Sequence, residues 1–139
     1  MFCIVIDGTQ GESVSASADD KLKIARKLIH FGVDYVEAGW PGSNPKDVEF
    51  FERAQTELTL AERRHLVAFG STRRKNVDVK DDPQVKALLN SEAPTICIVA
   101  KAHAWQVTDI LRAGLEENLT MIRDTVAYLV SHGRNVMVD

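Results

Sequence analysis

Two carboxylates carry the first suggestion of chemistry. Asp7 sits in the Asp7-Gly8 pair that ends the apolar run Phe2 to Ile6, and Glu37 interrupts the otherwise apolar run Val33 to Ala38. An unpartnered carboxylate inside a buried strand is costly, so Glu37 is the more telling of the two. A pair of carboxylates converging on one site suits a hard divalent cation or a cation-bound substrate. An Asp-Gly pair after a strand is also an ordinary turn. Further polar residues follow other apolar runs: Thr9 and Gln10; Ser71, Thr72 and Arg73; Lys101 and His103; and Asp139. Arg73, Arg74 and Lys75 make a basic cluster that is either a solvated loop or an anion site. His103 follows an apolar run closely enough to reach the same site. The four histidines form no His-x-His or His-x-x-x-His spacing, so they give no complete histidine metal site. No Gly-x-Gly-x-x-Gly, P-loop or nucleophile elbow is present.

The elements that must position these residues alternate. Phe2 to Ile6 reads as a strand, and Ser17 caps a helix with Asp19 and Asp20 in its first turn. Leu22, Ala25, Leu28 and Ile29 give that helix its apolar face, and Gly32 ends it. Val33 to Ala38 is a second strand. Asn44 and Pro45 open a helix with a stripe of Val48, Phe51, Ala54 and Leu58. Leu66 to Phe69 is a third strand, followed by a polar loop over Ser71 to Asp82. Asp82-Pro83 opens a short helix, and Thr95 to Ala100 is a fourth strand. Ala104 to Arg112 reads as helical, and Leu115 to Leu129 reads as a helix on the stripe Leu115, Leu119, Ile122, Val126 and Leu129. Asn135 to Val138 begins a fifth strand. Strands that alternate with helices and lack polar alternation imply a parallel sheet covered on both faces. Ligands of such folds bind at the C-terminal ends of the strands, where the polar residues above collect.

Composition narrows the class. The 139 residues are 45% hydrophobic and 27% charged, enough to bury one domain's core. The net charge of −3 gives no basic excess for nucleic acid or an anionic membrane. No apolar run approaches the roughly 18 residues of a membrane span. Cys3 and Cys97 lie in separate apolar runs and read as buried, reduced thiols of a cytoplasmic protein.

Asp7-Gly8-Thr9-Gln10-Gly11-Glu12 resembles the end of the signature D-x-T-L-R-D-G-x-Q. The stretches GVDYVEAGWPGSNPKDVEFF (32–51), VAFGSTRRKNV (67–77) and LEENLTMIRDTVAYLVSHGR (115–134) extend the likeness from residue 7 to 139. On these residues the chain resembles the 2-isopropylmalate synthase and homocitrate synthase family of metal-dependent TIM-barrel acyltransferases and lyases, and most of all its citramalate-forming branch. The resemblance implies a partial (β/α) TIM barrel, about five of eight strands, with residues 1–139 as the N-terminal portion of a pyruvate carboxyltransferase-type domain. It implies condensation of acetyl-CoA with pyruvate to give citramalate and CoA, in isoleucine biosynthesis. The alternatives are the 2-oxoisovalerate reaction of leucine biosynthesis, a lyase of the same superfamily, and a non-catalytic truncated paralogue. By resemblance Asp7 is the metal ligand, Gln10 the signature glutamine and Glu37 the strand-two glutamate of the catalytic site. Thr72, Arg73, Lys101 and His103 are the expected substrate-binding residues. The expected cofactor is a divalent metal, Mg, Mn or Zn, and the expected assembly a homodimer of the full-length enzyme.

Two departures bear on activity. Ile6 stands where the family has its catalytic arginine, and Phe2 to Ile6 does not match the signature. Isoleucine cannot donate hydrogen bonds to a developing oxyanion, and losing one such donor costs roughly 100-fold or more. The barrel needs about 250 residues, and the family's His-x-His ligands are not in this sequence. The expectation is an N- and C-terminally incomplete chain with foreign first residues, inactive and weakly metal-binding on its own.

Overall fold

The computed structural model describes residues 1–4, 16–101 and 114–139. Asp7, Gln10, His103 and the expected helix Ala104 to Arg112 lie outside the described residues. The described elements are β1 (Phe2–Ile4), α1 (Ala18–Phe31), β2 (Tyr35–Gly39), α2 (Pro45–Glu57), α3 (Leu60–Arg63), β3 (Leu66–Ser71), α4 (Pro83–Asn90), β4 (Thr95–Val99), α5 (Leu115–Ser131) and β5 (Asn135–Val138). The strands form one sheet in the order β1-β2-β3-β4-β5, and every neighbouring pair is parallel. That is the sequential α/β order expected of part of a barrel. Among the described residues no helix is long and apolar enough to cross a membrane.

The helix starts follow local chemistry. Ser17 and Asp20 form a reciprocal capping box on α1, and Gly32 ends it at φ 98°, a left-handed conformation that glycine adopts at no steric cost. Asn44 accepts the Lys46 N–H at the start of α2, and Pro45 takes the first turn. Asp82 accepts the N–H groups of Gln84 and Val85 to open α4. The short α3, held by a Thr59–Glu62 capping box, is an element the apolar periodicity does not reveal.

Two helices turn differently from their apolar stripes. In α2 the buried positions are Asp47, Phe50, Phe51 and Ala54, while Val48 is exposed. Asp47 is drawn inward by an ion pair with buried Lys21, which rotates the helix away from the apolar reading. In α5 the buried positions are Asn118, Met121, Thr125 and Leu129. Asn118 donates to the Lys101 carbonyl at 3.0 Å, and Thr125 accepts the Arg73 N–H at 2.9 Å. These polar contacts fix the helix face, and they leave Leu115 and Leu119 exposed.

The sheet has two faces of different character. Val36, Ala38, Leu66, Ala68, Ile96 and Ile98 join the helix residues Leu22, Phe50, Phe51, Leu88 and Leu129 in one apolar core. Strand alternation puts the intervening residues Glu37, Val67, Phe69, Cys97 and Met137 on the opposite face. That face would line the interior of a barrel.

Candidate functional site

Glu37 is the centre of the inner face. It lies in β2, level with Val67 of β3, and is only 4% exposed. Immediately after it the register slips: Glu37 pairs with Val67, but Gly39 pairs with Ala68. Such a bulge re-aims side chains and bends the strand. Cys97, on β4 beside Phe69, is 6% exposed and lies on the same inner face as Glu37. Burial, then the negative charges of Glu37 and Asp139, push this thiol up to about 12. It therefore keeps its proton at neutral pH. Sequence reading placed Cys97 only as a buried thiol. The signal that could have found it is its register on β4, two strands from Glu37 on the same face.

The segment leaving Glu37 is rigidly tied. Asp47 pairs with Lys21, whose ammonium also donates to the Ala38 carbonyl at 3.4 Å. The other Asp47 oxygen accepts the Trp40 N–H at 2.8 Å. Gly39 is required here because a Cβ would stand 2.7 Å from the Asp47 Cβ. The Trp40 ring meets Phe69 edge-to-face at 5.2 Å, and its indole N–H donates to Gln84 at 2.8 Å. Gln84 in turn donates to the Gly42 carbonyl at 2.9 Å. Lys21, Asp47 and Trp40 thus hold the end of β2 against α1, α2 and α4. Sequence reading passed over all three residues in this role.

Thr72 directly follows Ser71, and Lys101 lies two residues after Val99; Ser71 and Val99 pair across β3 and β4. Both therefore stand on the C-terminal rim, one strand apart, and Glu37 lies just inside it. Lys101 is half-buried and joins Asp139, Leu115, Leu119 and Val138 around a largely apolar groove of about 600 Å³. Arg73 is placed differently from a free anion-binding residue. Its side chain is 9% exposed and is held by Asp124 at 3.1 Å and Glu117 at 3.2 Å, both on α5. It also donates to the Arg74 and Val77 carbonyls. In the described structure Arg73 fastens the loop 72–82 to α5, and Asp82, fully buried, fastens the same loop from the other side through the Arg74 N–H at 2.8 Å.

Among the described residues no group of three His, Cys, Asp or Glu side chains could hold a metal ion. Glu37 and Cys97 alone do not make a metal centre. The site that remains is a buried carboxylate with a buried thiol on the same face, an aromatic wall of Trp40 and Phe69, and a rim carrying Thr72 and Lys101. It can orient a small polar substrate and accept a hydrogen bond or proton in surroundings that exclude water.

Comparison with known proteins sharpens this. The chain is 51% identical to the (R)-citramalate synthase of Streptomyces coelicolor and 47% identical to that of Aquifex aeolicus, in each case over 96% of this chain and 25% of the relative. It is 31% identical to the 2-isopropylmalate synthase of Salmonella arizonae, over 96% of this chain and 23% of that protein. The chain spans about a quarter of the length of these curated relatives. Residues 5–139, which carry β2 to β5 and the described helices α1 to α5, match the HMGL-like family, and the chain belongs to it.

Proposed function

We propose that this chain is the N-terminal portion of the TIM-barrel domain of a citramalate synthase, an acyltransferase that condenses acetyl-CoA with pyruvate to give (R)-citramalate and CoA. The observation that carries this reading is the identity of 51% to one (R)-citramalate synthase and 47% to another, against 31% to a 2-isopropylmalate synthase over the same share of the chain. The parallel sheet in sequential order, with Glu37 buried on its inner face, supports it. The acyl group becomes an alkyl group in the reaction: the acetyl methyl carbon loses a proton and bonds to the ketone carbon of the oxo acid. Water then cleaves the thioester and releases CoA.

In this scheme Glu37 and Gln10 are the catalytic residues that the chain supplies. Glu37 accepts a hydrogen bond or proton at its carboxylate, in a cleft dry enough to strengthen that interaction. Thr72, Lys101 and His103 contact substrate from the rim, and Arg73 serves binding through the loop it fixes. A divalent metal, Mg, Mn or Zn, would polarise the ketone, and Asp7 is the one ligand for it proposed from this chain. The complete enzyme is proposed to be a cytoplasmic homodimer with no nucleic-acid or membrane partner.

The test is a transplant. Residues 7–139 replace the matching segment of the Streptomyces coelicolor enzyme, and CoA release is followed with acetyl-CoA and each oxo acid. Pyruvate-dependent release supports the proposal. Release with 2-oxoisovalerate alone moves the reading to isopropylmalate synthesis, and no release with either defeats both.

A second reading is favoured by one observation: Ile6 occupies the position of the family's catalytic arginine. By itself, residues 1–139 would then be a non-catalytic protein. We expect no pyruvate-dependent CoA release from the isolated chain, and none after Ile6→Arg, because the sequence contains no His-x-His pair. Turnover by the isolated chain would overturn that expectation.

A further inference from the structure

We propose that Lys21 and Asp47 are positioning residues for the site: their buried ion pair holds a one-residue bulge in β2 that brings Trp40 onto the face of the sheet occupied by Glu37. The inference rests on the reading of Glu37 as part of the catalytic site and deepens it. Both residues act through the backbone of residues 38–40 rather than by contact with substrate.

The register shows what has to be held. Val36 is level with Leu66 and Glu37 with Val67, so a regular ladder would next bring Ala38 level with Ala68. Instead Gly39 is level with Ala68, and β2 carries one extra residue. Side chains alternate along a strand, so one extra residue moves those after it to the other face. Regular alternation from Glu37 would send Trp40 to the core side, with Ala38. The bulge reverses this, and the Trp40 ring meets Phe69, an inner-face residue, edge-to-face at 5.2 Å. Glu37 and the Trp40 ring share a face because of the bulge.

The ion pair supplies the restraints at this point. A bulge disrupts the ladder locally, and its buried backbone groups need partners elsewhere. The Lys21 ammonium donates to the Ala38 carbonyl at 3.4 Å, and Asp47 accepts the Trp40 N–H at 2.8 Å. These contacts grip the backbone on either side of Gly39, and the Lys21–Asp47 bond joins them. Gly39 lets α2 come this close, since a Cβ there would stand 2.7 Å from both Cβ and Cγ of Asp47. Both charged side chains are 4% exposed, and such a pair is often no more stable than apolar residues of the same volume. Methionine and leucine would fill the space. They could not donate to the Ala38 carbonyl, and leucine could not accept the Trp40 N–H.

Two measurements test this. The first uses the full chain with Trp105→Phe, which leaves Trp40 as the one tryptophan. Two neutral double variants are compared: Lys21→Met with Asp47→Leu, and Lys21→Met with Asp47→Asn. Both remove the two charges, but only Asn keeps an acceptor for the Trp40 N–H. In the Leu double the tryptophan emission should move to the red and acrylamide quenching should rise, as the ring leaves Phe69. In the Asn double both should stay at the parent's values. Equal emission and quenching in the two doubles overturns the proposal. If the Leu double unfolds, the Asn double decides against the parent, and a red shift there overturns it.

The second uses the transplanted enzyme described above, with the same two doubles. The Leu double should lower kcat roughly tenfold or more, as a displacement set from outside the site can. The Asn double should keep most of the rate. Urea titration of each double separates this from stability: the Leu double should be at least as stable as the Asn double and yet slower. A pair that served only stability would give the opposite order of rates, or none. Equal kcat in the two doubles, or the unmutated rate in the Leu double, overturns the positioning role. If the unmutated transplant is inactive, the functional reading falls, and the fluorescence result alone decides whether the pair holds Trp40 in place.

Discussion

Asp47 shows how a single side chain can organise the approach to the site. It is 3% exposed and answers Lys21, which is 4% exposed, and it also accepts the Trp40 N–H at 2.8 Å. Replacing one member of a buried ion pair leaves the other charge uncompensated, at a cost of roughly 3–5 kcal/mol. Asp47→Ala should therefore lower the unfolding free energy by about that amount in urea titrations. The double variant Lys21→Met with Asp47→Leu should recover a large part of it, because the uncompensated charge is gone. Cys97 gives a second prediction at this scale. Its thiol is pushed up from 9.0 to about 12, so the folded state holds the proton more tightly than the unfolded chain. The stability it contributes is complete below pH 9 and is lost as pH rises toward about 12. Base titration followed by circular dichroism should show this loss, and Cys97→Val should flatten it. At neutral pH iodoacetamide should modify Cys97 far more slowly than an unfolded control.

Helices and loops were legible in the sequence to the extent that local chemistry decides them. Ser17, Asn44 and Asp82 cap helices because short polar side chains satisfy free N–H groups, and Gly32 ends α1 because it tolerates φ 98°. What local pattern could not supply was the rotation of α2 and α5. Asp47, Asn118 and Thr125 are buried because of partners 26, 17 and 52 residues away in the chain. No window of the sequence contains those partners. The same long range hid Arg73, which reads as a basic loop residue until α5 brings Glu117 and Asp124 to it. Glu37 was legible because a carboxylate in an apolar strand is conspicuous by itself, whereas Cys97 is conspicuous only beside Glu37. Arg73→Ala should free the loop 72–82 from α5. Amide exchange in that loop should rise, with little change in β2 or β3. Leu119, at 66% exposure on the groove between α5 and β5, should behave oppositely: Leu119→Lys should change unfolding free energy by less than about 0.5 kcal/mol.

For the molecule as a whole, the parallel β1-to-β5 order places every C-terminal strand end on one rim, so residues from separate βα units stand at one end of the sheet. The apolar core between sheet and helices holds that rim together, and the inner face is left for Glu37, Phe69 and Cys97. This division of labour suits an HMGL-like barrel, in which a dry interior strengthens the few polar groups placed there. Sequence patterning reached the fold class because the strands are mostly apolar without polar alternation and the crossovers between them are helical. The measurement that tests the account most directly is Glu37→Gln in the transplanted Streptomyces coelicolor enzyme, with the folded state checked by circular dichroism. If Glu37 is the catalytic carboxylate, pyruvate-dependent CoA release should fall by about 100-fold or more while the fold is retained. A folded Glu37→Gln enzyme that turns over at the unmutated rate would contradict the account.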